Sequence, residues 1–323
     1  MSIWKYKFKI GKKYQLSLGE GETPITKCSS LKEFFKLEKL YLKREDLNPN
    51  GSFKDRSLAY QMSYYYQKGF DKFIISSSGN AAISAASYSQ LFKCHLDIFI
   101  SKNIPPDKFK RLLKACKVRN LDQITLKKKK ISLKNINIFI SKRPKSQSIK
   151  YLNINKNYVN LRGSTDPAAI KGFKTIAYEL ASISKKADSI FIPCSSGTSS
   201  VGIAKGFRDM GLKIPPIHIV QTTKIHPIAS NFDNSFSKTP KSKATAISDR
   251  VANRKEDVIR IIQKSKGSGW VINDKRVLEA QNLLLEKCKI NVSTDASLSL
   301  AGLQKAIDSG YNIKKPILII SGK

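Results

Sequence analysis

The chain has 323 residues, 41 % hydrophobic and 26 % charged, the balance of a globular protein long enough to bury a sizeable core in two lobes. Its formal net charge of +35 invites a nucleic-acid reading. Only 11 of the 59 basic residues are Arg, which carries most bidentate phosphate and base recognition, and the lysines are spread along the whole sequence, so no specific nucleic-acid binding is expected.

No apolar run approaches the ~20 residues of a membrane span. The opening MSIWKYKFKI is basic and alternating, without the apolar block of a signal peptide. Five widely scattered cysteines suit reduced thiols in a cytoplasmic protein better than a disulfide framework or a zinc site. Three isolated histidines, His95, His218 and His226, are expected to be structural, with no metal centre.

Residues 1–27 read as short strands and turns ending in LGEGETPI, and 31–37 as a short helix. The run 39–43 is extended and leads into NPNGSFKDR. Asn-Pro and Asn-Gly mark turns, and Ser52 is an N-cap candidate for a helix over 55–68. Lys54 then falls in a first helical turn, where the helix end disfavours a second cation and the neutral amine becomes easier to reach. A neutral amine is what a Schiff-base lysine needs.

A buried-strand pattern at 72–75 runs into SSSGN and an Ala/Ser-rich helix to residue 90. A strand at 95–100 and a helix from Pro106 follow. Weaker strands are expected at 124–126 and 136–140, flanking a lysine run at 127–130 that reads as a solvated loop. Further on, the pattern gives helix 167–184, strand 189–193, a PCSSGTSS loop opening a helix to 210, and strand 217–222. Helices near 254–264, 274–287 and 297–309 precede a last strand at 316–320. Short apolar strands alternating with helices predict a doubly wound α/β architecture.

Two strand–loop–helix junctions carry chemistry, because ligands in open α/β sheets sit at strand carboxyl ends, where helix N-termini point free N–H groups. Residues 194–200 offer backbone N–H groups, hydroxyls and one Gly, a phosphate-cradle pattern without the Gly-Lys-Ser/Thr ending of a P-loop. Residues 76–80 suit a carboxylate or phenolic oxygen. Alone, each is also the pattern of a capped helix.

Together, LGEGETPI, YLKREDLNPNGSFKDR, SSSGNAAISAA, GFKTIAYEL, IPCSSGTSSVGIAKGF, TAISDR and ASLSLAGL resemble the fold type II (tryptophan synthase β-like) pyridoxal-phosphate enzymes, most closely the threonine synthases. The resemblance implies two lobes, each an open, mostly parallel sheet with helices on both faces. The smaller, mobile lobe would span 48–145 and the larger 1–47 plus 146–323. It further implies pyridoxal 5′-phosphate (PLP) on Lys54, with Lys54 also acting as general base. Asn80 would meet the cofactor's 3′-oxygen, and Ser195, Ser196, Gly197, Thr198 and Ser199 its phosphate. Ser321 would face the pyridine nitrogen, and Ser77, Ser78 and Gly79 the substrate carboxylate, with Ser164 also at the substrate.

The implied activity is a lyase or synthase acting on a small amino acid, in a homodimer. Ala81 and Ala169 replace a Thr and an Arg that threonine synthases commonly place on the substrate phosphate, with Lys171 or Lys174 as substitute charges. This leaves a serine/threonine dehydratase or β-replacement enzyme as the alternative, and a degenerate binding protein as a third reading.

Overall fold

The computed structural model describes residues 2–119, 126 and 128–323. It divides into two compact units, Met1–Glu20 with Lys54–Gly172 and Gly21–Phe53 with Phe173–Lys323. The chain first lays down β1 (Ile25–Lys27), α1 (Ser29–Phe34) and β2 (Tyr41–Lys43), all in the second unit.

The first unit then builds α2 (Lys54–Gln67), β3 (Lys72–Ser76), α3 (Asn80–Phe92), β4 (His95–Ser101) and α4 (Pro106–Ala115). It continues with β5 (Lys130–Ser132), β6 (Ile136–Ser141), α5 (Pro144–Ile154) and β7 (Val159–Asn160). Its sheet runs β5-β6-β4-β3-β7, parallel except for the β5–β6 pair. Phe73, Ile74 and Ile75 are all buried, which is why β3 reads as an unbroken apolar run rather than an alternation. Each such side chain contributes about 1.5–3 kcal/mol on burial. Asp97, fully buried on β4, accepts from Asn137 Nδ2 at 2.8 Å and lies 2.9 Å from His95 Nε2.

The unit boundaries differ from the 48–145 division. The N-terminal segment packs on α2: the Trp4 and Tyr60 rings stack at 6.2 Å, and the Gly11 N–H donates to Gln67 Oε1 at 2.6 Å. Tyr88 donates to Glu20 Oε2 at 2.6 Å. Helix α5 packs on β3, β4 and β6, which draws residues 146–172 into the same unit. Residues 48–53 go the other way, because the Phe53 N–H donates to the Ser321 carbonyl at 3.1 Å.

The boundary after Gly172 falls inside α6 (Ala168–Ser184). The second unit continues with β8 (Ser189–Pro193), α7 (Thr198–Asp209), β9 (Ile217–Thr222), α8 (Lys255–Ser265) and β10 (Gly269–Ile272). It ends with α9 (Asp274–Cys288), α10 (Thr294–Asp308) and β11 (Pro316–Ile319). Its sheet runs β1-β2-β11-β8-β9-β10, parallel except for β1–β2.

Three sequence expectations are corrected. Cys28 and Cys288, 260 residues apart, form a disulfide with a Cα–Cα distance of 5.7 Å, tying the start of α1 to the end of α9. Among the described residues, Cys94, Cys116 and Cys194 lie outside any disulfide. Helix α5 and strand β10 were not anticipated, and Lys130, read as loop, begins β5. The expected strand at 124–126 lies largely outside the described residues. Among the described residues no helix is long and apolar enough to cross a membrane, and no His/Cys/Asp/Glu group could hold a metal ion.

Candidate active site

At the carboxyl edge of the first unit's sheet, β3 runs through Ser77, Ser78 and Gly79 into Asn80, which opens α3. The helix N-terminus offers N–H groups without intrahelical partners and a partial positive charge, so this edge suits an anion. Ser77 Oγ accepts the Gly79 N–H at 3.2 Å, and Ser78 Oγ accepts the Ser101 N–H at 2.8 Å. Each hydroxyl therefore keeps its own proton for donation. Ser164 follows β7, the strand beside β3, and its buried Oγ has no hydrogen-bond partner among the described residues. Lys54 is the first residue of α2, which packs along α3. Ser52, two residues before this helix begins, forms a backbone bridge with Gly322.

In the second unit, β8 runs through residues 194–197 into α7, and Ser321 follows the neighbouring β11, so both reach the same carboxyl edge. Gly197 sits at φ +89°, and a Cβ there would lie 2.4 Å from Val258 Cγ2, so the turn requires glycine. Gln221, fully buried on β9, pins the loop: its Nε2 donates to the Cys194 and Ser195 carbonyls at 3.2 and 3.3 Å. Its Oε1 accepts the Ile228 and Ala229 N–H groups, both at 2.9 Å.

Ser196 Oγ and Thr198 Oγ1 lie 3.0 Å apart, and Arg254 Nε donates to Thr198 Oγ1 at 3.2 Å. Ser200 Oγ is buried without a partner among the described residues. The Ser195 hydroxyl faces elsewhere: it donates to Asp249 Oδ2 at 3.3 Å and accepts the Ser248 and Asp249 N–H groups, both at 3.2 Å. What Ser195 can offer a ligand is its backbone N–H.

A family model described as pyridoxal-phosphate dependent enzyme matches residues 16–322. The chain belongs to this family. Its donor set fits the cofactor's phosphate: a helix N-terminus, a turn at Gly197 that admits no Cβ, and the hydroxyls of Ser196, Thr198 and Ser199. A threonine synthase from Methanosarcina acetivorans is 28 % identical over 96 % of this chain and 76 % of its own length. Among solved structures, maize serine racemase superposes with a TM-score of 0.75 at 18 % identity, covering 93 % of this chain and 87 % of that one. Threonine deaminase isoform 2 from Solanum lycopersicum gives 0.71 at 18 %, covering 93 % and 79 %. Such structural likenesses establish the fold.

Against this family background the substituted positions gain detail. Ala169 is fully buried, so no cation occupies that position. Lys174, considered as a substitute charge, lies in the second unit and donates to Asp209 Oδ2 at 2.5 Å. Lys171 is exposed. Sequence reasoning missed Gln221, Asp249 and Arg254, whose links to the loop span 26 to 56 residues. Among these, only Asp249, within TAISDR, had any local signal.

Proposed function

We propose that the protein is a PLP-dependent carbon–oxygen lyase of the threonine synthase type, converting O-phosphohomoserine and water to threonine and inorganic phosphate. One observation carries the reading: a single chain holds Lys54 at the first position of a helix together with anion-suited strand–loop–helix edges on both of its sheets. The cofactor, when bound, withdraws electrons from the substrate carbon next to the amino group, which makes protons on neighbouring carbons removable.

The chain's own residues do the rest. Lys54 Nζ carries protons to and from those carbons, a task that requires its neutral form at the moment of abstraction. The donor hydroxyls of Ser77 and Ser78, with the N–H groups of Gly79 and the first turn of α3, orient the substrate carboxylate. Asn80 would meet the cofactor's 3′-oxygen, and the N–H groups of residues 195–199 with the Ser196, Thr198 and Ser199 hydroxyls would hold its phosphate. Ser321 would present a neutral hydroxyl to the pyridine nitrogen, which would keep the ring a mild electron sink suited to elimination and replacement. Ser164, buried with an unmatched hydroxyl, would meet the substrate's distal group. A cytoplasmic homodimer belongs to the same proposal, and size-exclusion chromatography reads its oligomeric part.

Serine or threonine dehydration is the second reading, favoured by the buried Ala169 and by the Lys174–Asp209 ion pair, which leave the usual phosphate-reading charge unreplaced at those positions. The test is the visible spectrum of cofactor-loaded wild type beside Lys54→Ala, with O-phosphohomoserine, serine and threonine added in turn. The proposal expects a yellow band lost in the variant, and phosphate released in step with threonine. Ammonia and a 2-oxo acid from serine or threonine would select the dehydratase, and a colourless wild type would overturn both.

A further inference from the structure

The geometry points to Arg254 as a positioning residue for the cofactor's phosphate, an inference that rests on the reading of residues 195–199 as the phosphate cradle. Between Pro193 and Lys205 the sequence has no basic residue, so the cradle's own segment meets the phosphate with dipoles and hydroxyls alone. A phosphate ester carries about −1.5 to −2 charge near neutral pH. One carboxylate is already present at the cradle's first residue, where Asp249 Oδ2 accepts from Ser195 Oγ at 3.3 Å. Without a compensating cation, two negative groups would share one small loop.

Arg254 brings that cation from 56 residues away. It immediately precedes α8, and its Cβ lies 3.5 Å from where a side chain on Gly197 would begin, so its stem leaves the backbone beside the cradle's turn. An arginine Nε–H can only donate. At 3.2 Å it occupies a lone pair of Thr198 Oγ1, which lies 3.0 Å from Ser196 Oγ. Taking that lone pair biases both hydroxyls of the Ser196–Thr198 pair toward donating, the polarity a phosphate oxygen requires. Arg254 therefore acts in two ways, by its charge and by setting the direction of two hydroxyl protons. The carboxylates of Glu256 and Asp257, in the first turn of α8, are exposed and screened by solvent.

The experiment measures equilibrium binding of PLP and of pyridoxal, which lacks the phosphate, to apo wild type, Arg254→Gln, Arg254→Lys and Thr198→Val. Absorbance reports binding, and the ³¹P resonance of bound PLP is followed against pH. Arg254→Gln is expected to weaken PLP by about tenfold to a hundredfold, the scale of a lost charge-assisted hydrogen bond. Pyridoxal affinity should stay unchanged, and the bound phosphate should titrate at higher pH. Arg254→Lys should recover part of the loss, and Thr198→Val combined with Arg254→Gln should cost less than the sum of the two. Unchanged PLP affinity in Arg254→Gln, or an equal loss for PLP and pyridoxal, overturns the inference. A wild type that does not distinguish PLP from pyridoxal overturns the cradle assignment as well, so the two failures are separable.

Discussion

Replacing Gly197 with alanine asks whether the cradle is a steric fit between one loop and one helix. The φ of +89° is the left-handed region, which costs an L-residue about 1–2 kcal/mol. The added methyl would also stand 2.4 Å from Val258 Cγ2, closer than real Cβ atoms come, and Val258 is fully buried on α8 with little room to retreat. Overpacking of that kind adds about 1–3 kcal/mol, for a total of roughly 2–5 kcal/mol. A folded body of this size loses ~2–4 °C per kcal/mol, so scanning calorimetry should record a fall of roughly 4–20 °C in the transition of the second unit. Val258→Ala in the same background makes space for the methyl without changing φ. The double-mutant cycle should therefore return a favourable coupling of about 1–3 kcal/mol and leave the backbone penalty in place. A fall under about 1 °C for Gly197→Ala would refute the argument outright. A full fall that Val258→Ala does not relieve would refute Val258 as the obstacle.

Three further outcomes follow from buried groups and from the disulfide. His218, stacked on Phe191 and accepting the Trp270 Nε1–H at its Nδ1, is held by burial at a pKa of about 4, below its usual 6.5. The unfolded chain takes up this proton first, so the contribution is fully present above about pH 6.5 and fades as pH falls toward 4. It amounts to about 3 kcal/mol. His218→Asn, which keeps an acceptor for Trp270, should flatten stability against pH in that window, and an unchanged slope in denaturant titrations would contradict the assignment. Burial pushes the Cys94 and Cys116 thiols up to about 12. Native protein at pH 8 should thus show no fast-reacting thiol at these positions, and reduction should expose Cys28 and Cys288 to alkylation. Reduction should also cost the second unit about 2–4 kcal/mol; free Cys28 and Cys288 in intact-mass analysis of unreduced protein would count against the bond.

Much of the fold was legible because parallel strands covered on both faces announce themselves as apolar runs. Ser189–Pro193 and Ile217–Thr222 sit where the sequence places them. Helix α5 was hidden for the opposite reason: Ser148 is its only fully buried residue, and Ile149 and Ile154 face outward, so no apolar stripe repeats along it. Strand β10 is four residues long, too short for a periodicity. The anion-suited loops could be found because each is local, a strand end running straight into a helix start. Their supports could not, since Arg254 and Gln221 act across the sheet edge from separate segments and neither lies in a motif. The same limit hid the disulfide: no spacing rule links Cys28 to Cys288 when folding alone brings them together.

The backbone amides that occupy Ser77 and Ser78 fix the sign of what that edge can read. With one lone pair of each hydroxyl already taken, each keeps its proton and a single free lone pair, so the pair favours a group rich in acceptors over one rich in protons. An amino-acid carboxylate and its carboxamide have nearly the same shape, but the carboxylate offers acceptors to both hydroxyls whereas the amide offers one oxygen and one NH₂. On the proposed carboxylate role of this loop, a preference for carboxylate over amide would be set by the Gly79 and Ser101 backbone N–H groups rather than by a charged side chain.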